Sequence, residues 1–425
     1  MSVGAILRQH GAAFVRHYRQ TPPGVQRVLA RLAACRTAAL GGHVTECCHC
    51  GDVSYRYHSC GDRHCPACGG SKRAAWLERR RAELLAVPYF HVVFTLPHQL
   101  SALVLGNRRL LYPLLLRTAA QTLLDVAADP KHLGARLGVL AVLHTWGQQL
   151  EHHPHVHAVV PGGGLASDGQ RWLACRPNFL LPVKVLGKVF RGKYLEGLRQ
   201  AYVTGALQLG GSTAALAEPT AFAALMDELY RTSWVVYAKQ PFGRDPEVVL
   251  KYLAQYTHRV AFSNARLVRV SDETVTFTYK DYADGCRTKE MTLPVLEFVR
   301  RFAMHVVPGR LVRIRQYGLL ANRGRGVRLA ECRRLLPSVA ANAGAATPPC
   351  RYDYRWLILM TLLLASATPA ALAPLSELWR NAPACAICGS ALRTLWQAPR
   401  PSSHKLPTLA CLADQDVAPV REDSS

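Results

Sequence analysis

Between His43 and Gly70 the chain is crowded with Cys, His, Gly and Asp and nearly empty of aliphatic residues. A segment of that composition cannot bury enough apolar surface to hold itself together, so a bound metal must organise it. Cys47-x-x-Cys50 and Cys65-x-x-Cys68 bracket residues 51–64. Two such knuckles around a short polar stretch match a four-thiolate zinc site, in which soft thiolates surround the metal tetrahedrally. Gly51 and Gly69 follow the second cysteine of each pair, where a tight turn aims backbone amides at sulfur. His43, Cys48, His49, Cys60 and His64 crowd the same stretch; they could form a second site, exchange into the first, or contact DNA. Cys385-x-x-Cys388-Gly389, with His404 and Cys411 as partners, has poorer spacing for zinc. Cys35, Cys175, Cys286, Cys332 and Cys350 read as packing residues.

The compartment follows from the same cysteines. Fourteen of them in a chain whose first residues, Met1–Gln20, carry charge and no continuous apolar stretch argue for reduced thiols and against a disulfide framework. The most apolar run, Trp356–Pro374, contains Thr361, Ser366, Thr368 and Pro369 and falls short of the roughly 20 residues that cross a bilayer, so it reads as a buried helix. Lys and Arg number 52 against 28 Asp and Glu, a net +24 that favours a polyanion as partner. Arg73, Arg79, Arg80 and Arg81 follow the cysteines, and Arg310, Arg313, Arg315, Arg323, Arg325 and Arg328 form a later cluster. The reading is a soluble, cytoplasmic, nucleic-acid-facing protein with no membrane partner.

With 425 residues, 49% of them hydrophobic, the chain can hold two or three domains. Helical periodicity runs to about Gly42, and Ser71–Leu85 is a basic helix. Pro88 opens a different style. Phe90–Leu96 is a strand candidate, Ala102–Ala128 reads as one or two helices, and Leu137–Trp146 with His155–Val160 reads as an antiparallel hairpin closed by Pro161-Gly162-Gly163-Gly164. Trp234–Ala238 and Val275–Tyr279 are further strands. Asp245-Pro246-Glu247 is a helix start, with Asp as N-cap and Pro in the first position. Strands and helices mix without a β-α-β repeat, which predicts an α+β fold. The expected division is 1–87, helical and zinc-binding; 88–336, catalytic; and 337–425, a C-terminal region with a knuckle and a disordered tail.

Two short stretches carry chemistry. His155 and His157 are two apart on a strand, so both imidazoles point to one face. Tyr252 and Tyr256 are four apart on a helix and share a face there. Tyrosine cleavage of a phosphodiester needs a polarised phosphate, an aimed phenol and a stabilised leaving oxygen, and a divalent cation supplies the first and third. His155 and His157 supply two nitrogens; Gln148, across the hairpin, is the chosen third ligand, with Glu151, Gln255 and His258 as alternatives.

The chain closely resembles the transposases of the insertion-sequence-91 family, two-tyrosine rolling-circle enzymes of the HUH superfamily. The resemblance covers about residues 10–335. It rests on Asp62-Arg63-His64-Cys65-Pro66, Tyr89 through His98, His144-Thr145-Trp146-Gly147-Gln148, His153 through His157, Val159 through Gly164, Phe190-Arg191-Gly192-Lys193, Tyr252 through Asn264, and Lys280-Asp281-Tyr282. It implies a zinc-ribbon-like N-terminal domain ahead of an HUH nuclease-type antiparallel sheet, with the histidine strand central and the tyrosine helix beside it. It implies structural zinc, catalytic Mg²⁺ or Mn²⁺, and single-stranded DNA at element ends joined to target DNA through 5′-phosphotyrosines on Tyr252 and Tyr256. Arg73, Arg79, Arg80, Arg191, Lys193 and Arg259 are the expected DNA contacts. The glycine run Pro161–Gly164 lacks the Lys-Ser/Thr of a phosphate-binding loop, so unwinding falls to a host helicase. The rival expectations are a related replication initiator or relaxase and a zinc-dependent DNA-binding protein without activity.

Overall fold

The computed structural model describes residues 1–242, 246–257, 260–336 and, by backbone alone, 392–397. Asp245, His258, Arg259, the apolar run Trp356–Pro374, Cys385, Cys388, His404 and Cys411 lie outside the described residues. Helices α1 (Val3–His17) and α2 (Pro23–Ala33) open the chain. Ser2 caps the first by accepting from the Ala5 amide at 3.1 Å, and Pro23 stands in the first position of the second. Strands β1 (Gly42–Cys47) and β2 (Val53–Tyr57) follow, so the cysteine-rich segment carries a hairpin that its composition did not announce. Helix α3 (Gly70–Arg81) then leads to β3 (Tyr89–Thr95), α4 (Ser101–Gly106), α5 (Arg108–Ala128), β4 (Ala135–Arg136), β5 (Gly138–Trp146) and β6 (His152–Pro161). Next come β7 (Gly163–Ala166), β8 (Trp172–Ala174), α6 (Val183–Val203), α7 (Pro219–Arg231), β9 (Val236–Phe242) and α8 (Pro246–Thr257). The described chain finishes with β10 (Leu267–Val270), β11 (Thr274–Asp281), β12 (Arg287–Pro294), α9 (Val295–Met304), β13 (Ile314–Gly318), α10 (Arg325–Leu335) and β14 (Leu392–Gln397).

The organising element is a five-stranded antiparallel sheet in the order β13-β5-β6-β3-β9, which puts the histidine strand at its centre. Strand alternation divides its residues cleanly between two faces. Phe90, Val92 and Phe94 of β3, Val156, Ala158 and Val160 of β6, and Val139, Ala141 and Leu143 of β5 bury one face under α5 and α6. There Leu115 and Leu123 meet Phe190, Tyr194 and Leu198 in the main core. Burying a large apolar side chain contributes about 1.5–3 kcal/mol, so this face anchors the sheet. The opposite face is only partly apolar. Tyr89, Leu140 and Val159 pack against Val249 and Leu253 of α8 and Leu329 and Cys332 of α10, and the same face carries His91, His144, His155 and His157.

The run Pro161–Gly164 does not close the hairpin as a loop; it passes from β6 directly into β7. Glycine is needed there for backbone approach, because a Cβ on Gly164 would stand 2.2 Å from the Arg136 carbonyl oxygen of β4.

The chain forms two compact units that interleave in sequence. One holds Met1–Cys35 and Ser59–Pro337 and contains the central sheet. The other takes Arg36–His58 together with the strand β14, which pairs antiparallel with β1 so that Cys47 stands opposite Leu392 and Val44 opposite Trp396.

Candidate active site and thiol cluster

His155 and His157 share a face of β6, as their spacing predicts. Register adds a neighbour on each side: His144 of β5 stands opposite His155, and Val93 of β3 opposite His157. The ligating atoms of His144, His155 and His157 all lie within 4.8 Å of one another. Nδ1 of His155 donates to the His153 carbonyl at 2.7 Å, which leaves Nε2 as its lone-pair nitrogen. Nδ1 of His157 is 2.7 Å from Nε2 of His91 on β3. Three convergent imidazoles, buried or half-buried, form a nitrogen donor set that fits a divalent transition-type cation.

The tyrosine helix lies on the same face of the sheet. Val249 and Leu253 are buried against it, and Tyr252, one residue before Leu253, turns toward β3. Its hydroxyl lies 2.6 Å from Nδ1 of His91. Its ring stacks on Phe242 at 3.9 Å between centroids, and the Lys239 ammonium lies 5.8 Å from the ring centre. Burial pushes His91 down to about 4, so it is neutral at physiological pH. Tyr256 occupies the next turn of the helix; its side chain, like that of Gln255, lies outside the described residues.

Gln148 has partners of its own. It sits in the tight connection between β5 and β6, where its amide nitrogen donates to the Tyr282 hydroxyl at 3.2 Å and its oxygen faces the Lys280 amide at 3.4 Å. Counting register inward from this turn pairs Trp146 with His152 and then His144 with His155, so His144 stands beside the histidine pair. The signal for His144 was its place on the strand opposite the histidine pair. Glu151 accepts from the Gln149 amide at 2.9 Å within the same turn.

The zinc-type cluster likewise differs from the spacing rule. Cys65 and Cys68 converge with Cys35 and Cys60, all four sulfurs lying within 4.8 Å of one another. A zinc tetrahedron with bonds of about 2.3 Å has sulfur–sulfur edges of roughly 3.8 Å, so the set fits the metal. The thiols of Cys60 and Cys68 are 3.5 Å apart, and those of Cys65 and Cys35 are 3.6 Å apart. Hydrogen bonds from Cys60 and Cys65 hold the Cys35 thiol down at about 7, favouring the thiolate that a metal needs. Cys47 and Cys50 belong to the other unit, where the amides of His49 and Cys50 turn toward the Cys47 sulfur at 3.4 and 3.5 Å. The physical reason is chain path: residues 36–58 leave the first unit after Cys35 and return just before Cys60, so the cluster joins the two ends of that excursion. No Cys-x-x-Cys spacing marks Cys35, so nothing in its sequence sets it apart from a packing residue. His64 has its own partners: Nδ1 meets Asp62 at 2.7 Å, and Nε2 accepts from the Val307 amide at 3.2 Å.

Arg73 and Arg79 are exposed on α3, which packs against α8. Arg80 instead pairs with Glu83 at 2.8 Å. Arg191 and Lys193 stand on α6, across the sheet from the histidines. The Arg191 guanidinium lies 4.5 Å from the Tyr230 ring centre, and Lys193 pairs with Asp125 at 2.7 Å. Among the described residues no helix is long and apolar enough to cross a membrane.

Residues 138–327 match the family described as "Putative transposase", and residues 6–96 match a "Transposase zinc-binding domain". The first span holds the histidine trio and α8, and the second holds the four converging thiols. "Putative transposase y4qJ" of Sinorhizobium fredii is 49% identical over 354 residues, which is 83% of this chain and 89% of that protein. The transposase for insertion sequence element IS801 of Pseudomonas savastanoi pv. phaseolicola is 30% identical over 332 residues, covering 75% of this chain and 74% of the relative. No solved structure matches. Across its zinc-binding and catalytic parts alike, the chain belongs to the insertion-sequence-91 type of transposases.

Proposed function

We propose that this transposase nicks and rejoins single-stranded DNA at the ends of its element by rolling-circle chemistry, with catalysis inside residues 88–336. The observation that carries the reading is the Tyr252 hydroxyl, 2.6 Å from His91, which itself reaches the histidine trio through His157 at 2.7 Å. The phenol oxygen of Tyr252 attacks the phosphorus, forming an O–P bond as the bond to the 3′ oxygen breaks. The phenol proton passes to water, and the departing 3′ oxygen takes a proton from water to leave as a hydroxyl. The 5′-phosphotyrosine conserves the energy of the broken ester, so a 3′ hydroxyl can reverse the step without ATP. His144, His155 and His157 would hold a divalent cation, Mg²⁺ or Mn²⁺, which polarises the phosphate and stabilises the leaving oxygen. Tyr256, one turn along the helix, serves the second end while the first is held. Arg73 and Arg79 on α3, beside the tyrosine helix, guide the phosphate backbone. Zinc on Cys35, Cys60, Cys65 and Cys68 fixes the N-terminal part, target DNA receives the strand, and a host helicase supplies unwinding.

The test is adduct formation on a single-stranded end oligonucleotide with Mn²⁺. Phenylalanine keeps the ring and removes the nucleophile, so Tyr252→Phe should lose its adduct and Tyr256→Phe should block full transposition. Undiminished cleavage by the double variant would refute the reading and point to another nucleophile, and absence of cleavage by the wild type would favour a protein that only binds DNA. An adduct on Tyr252 alone, with Tyr256→Phe still transposing, would replace the two-tyrosine scheme by a single-tyrosine one.

A further inference from the structure

Among the described residues, His91 is the buried histidine that touches both halves of the site, and neither the ligand trio nor the nucleophile accounts for it. It sits on β3 with Phe90 and Val92 directed into the opposite core. Its ring is parallel to that of His157 within 8°, with centroids 4.9 Å apart and Nε2 2.7 Å from Nδ1. Nitrogens so close between nearly parallel rings describe an in-plane N–H···N bond, with the rings edge to edge. Its other nitrogen, Nδ1, faces the Tyr252 hydroxyl at 2.6 Å, with the two rings inclined at 71°. Each contact takes a different nitrogen, and a neutral imidazole has one donor and one acceptor.

We infer that His91 is a positioning residue that couples cation binding at His157 to the hydrogen-bonding state of the Tyr252 nucleophile. The inference rests on the assignment of a cation to the trio and of attack to Tyr252. A cation taken by Nε2 of His157 leaves that ring's hydrogen on Nδ1, which donates to Nε2 of His91. His91 then carries its own hydrogen on Nδ1 and donates it to the tyrosine oxygen. The phenol oxygen becomes an acceptor, its own proton points away from His91, and a developing phenolate finds a donor already in place. With the trio empty of cation, the opposite order is equally satisfied: the tyrosine O–H donates to His91, and His91 donates to His157. Metal occupancy therefore selects the direction of both bonds.

The experiment separates the two nitrogens. His91→Gln places an amide near the Nε2 position facing His157 but reaches Tyr252 poorly, whereas His91→Ala removes both contacts. Mn²⁺ binding is measured calorimetrically on the full-length protein without DNA, and the adduct-forming rate at saturating Mn²⁺ on an end oligonucleotide. His91→Ala should weaken Mn²⁺ binding about 10–100-fold, the usual cost of losing a histidine's outer partner. His91→Gln should restore Mn²⁺ affinity to within about threefold while leaving the saturating rate at least tenfold down, an affinity–rate split that mere loss of packing would not give. His91→Ala with unchanged affinity, or His91→Gln with a wild-type rate or with no recovery of affinity, would overturn the coupling. If His91→Ala does not fold, the split in His91→Gln decides alone. His155→Ala serves as the control: if it too leaves Mn²⁺ binding unchanged, the cation assignment has failed rather than the role of His91.

Discussion

His305, at the end of α9, holds the turn that sets the histidine register, and acid should release it. Its Nε2–H donates to the Leu150 carbonyl at 3.1 Å, since a carbonyl can only accept, so Nδ1 accepts from the Thr145 hydroxyl at 3.2 Å. Both partners flank the β5–β6 connection, and Thr145 is the neighbour of His144. Burial drives the group from 6.5 down to about 3. A depressed histidine pKa means that the unfolded chain takes up its proton first, so folded stability falls as pH drops below 6.5 and keeps falling to about 3. At pH 5 the cost is the gap of about 1.5 units times 1.36 kcal/mol, or about 2 kcal/mol. His152, lowered to about 4 by burial, adds a similar amount at that pH. Urea unfolding of the wild type and of His305→Gln at pH 7 and pH 5 isolates the term, because any pH-independent loss cancels in the difference. The variant's loss between the two pH values should be smaller by about 2 kcal/mol. An identical pH dependence in the two proteins, or a His305 ring resonance titrating near 6.5, would refute the assignment.

Zinc content by native mass spectrometry should fall by one equivalent in each of Cys35→Ser, Cys60→Ser, Cys65→Ser and Cys68→Ser, and Cys47→Ser should keep that ion; a fully loaded Cys35→Ser protein would break the set. His144→Ala should weaken Mn²⁺ binding by at least about tenfold, and Gln148→Ala by less than about twofold. The reverse ranking would return the third position to Gln148. Three imidazoles suit Mn²⁺ better than Mg²⁺, so cleavage should half-saturate at a lower concentration of Mn²⁺, and a lower value for Mg²⁺ would count against an all-nitrogen set.

What was legible in the sequence was local. β6 shows through because His155 and His157 alternate with Val156 and Ala158, and α8 because Pro246 stands at its first position. The α+β class followed from strands and helices that mix without β-α-β units, and the antiparallel sheet from the family resemblance. What was hidden depends on how far the chain travels between partners. His144 does not stand out in the sequence, because a shift of a few residues in the turn decides which side chain on β5 meets His155. Cys35 ends a helical stretch with no metal spacing around it, and only the excursion of residues 36–58 brings it to Cys60. His91 lay in a strand that sequence alone reads as core, and its meaning appears only when β3 is seen between β6 and β9.

The pairing of β1 with β14 sets an order in time. β1 and β2 leave the ribosome early, yet the strand that flanks β1 on its other side is made 340 residues after the end of β2, at residues 392–397 (397 − 57). At roughly 5–20 residues per second, that is a wait of about 17–70 s during which β1 has an open edge. Open edges recruit other strands, and Arg56 and Glu46 place charge on this hairpin during the interval. A message cut short before codon 392 would yield a protein with its histidine trio and tyrosine helix encoded in full but with β1 permanently unpaired on that side. Such truncated products should be aggregation-prone and protease-sensitive, and the 3′ end of the coding sequence thereby has a say in how long the protein survives.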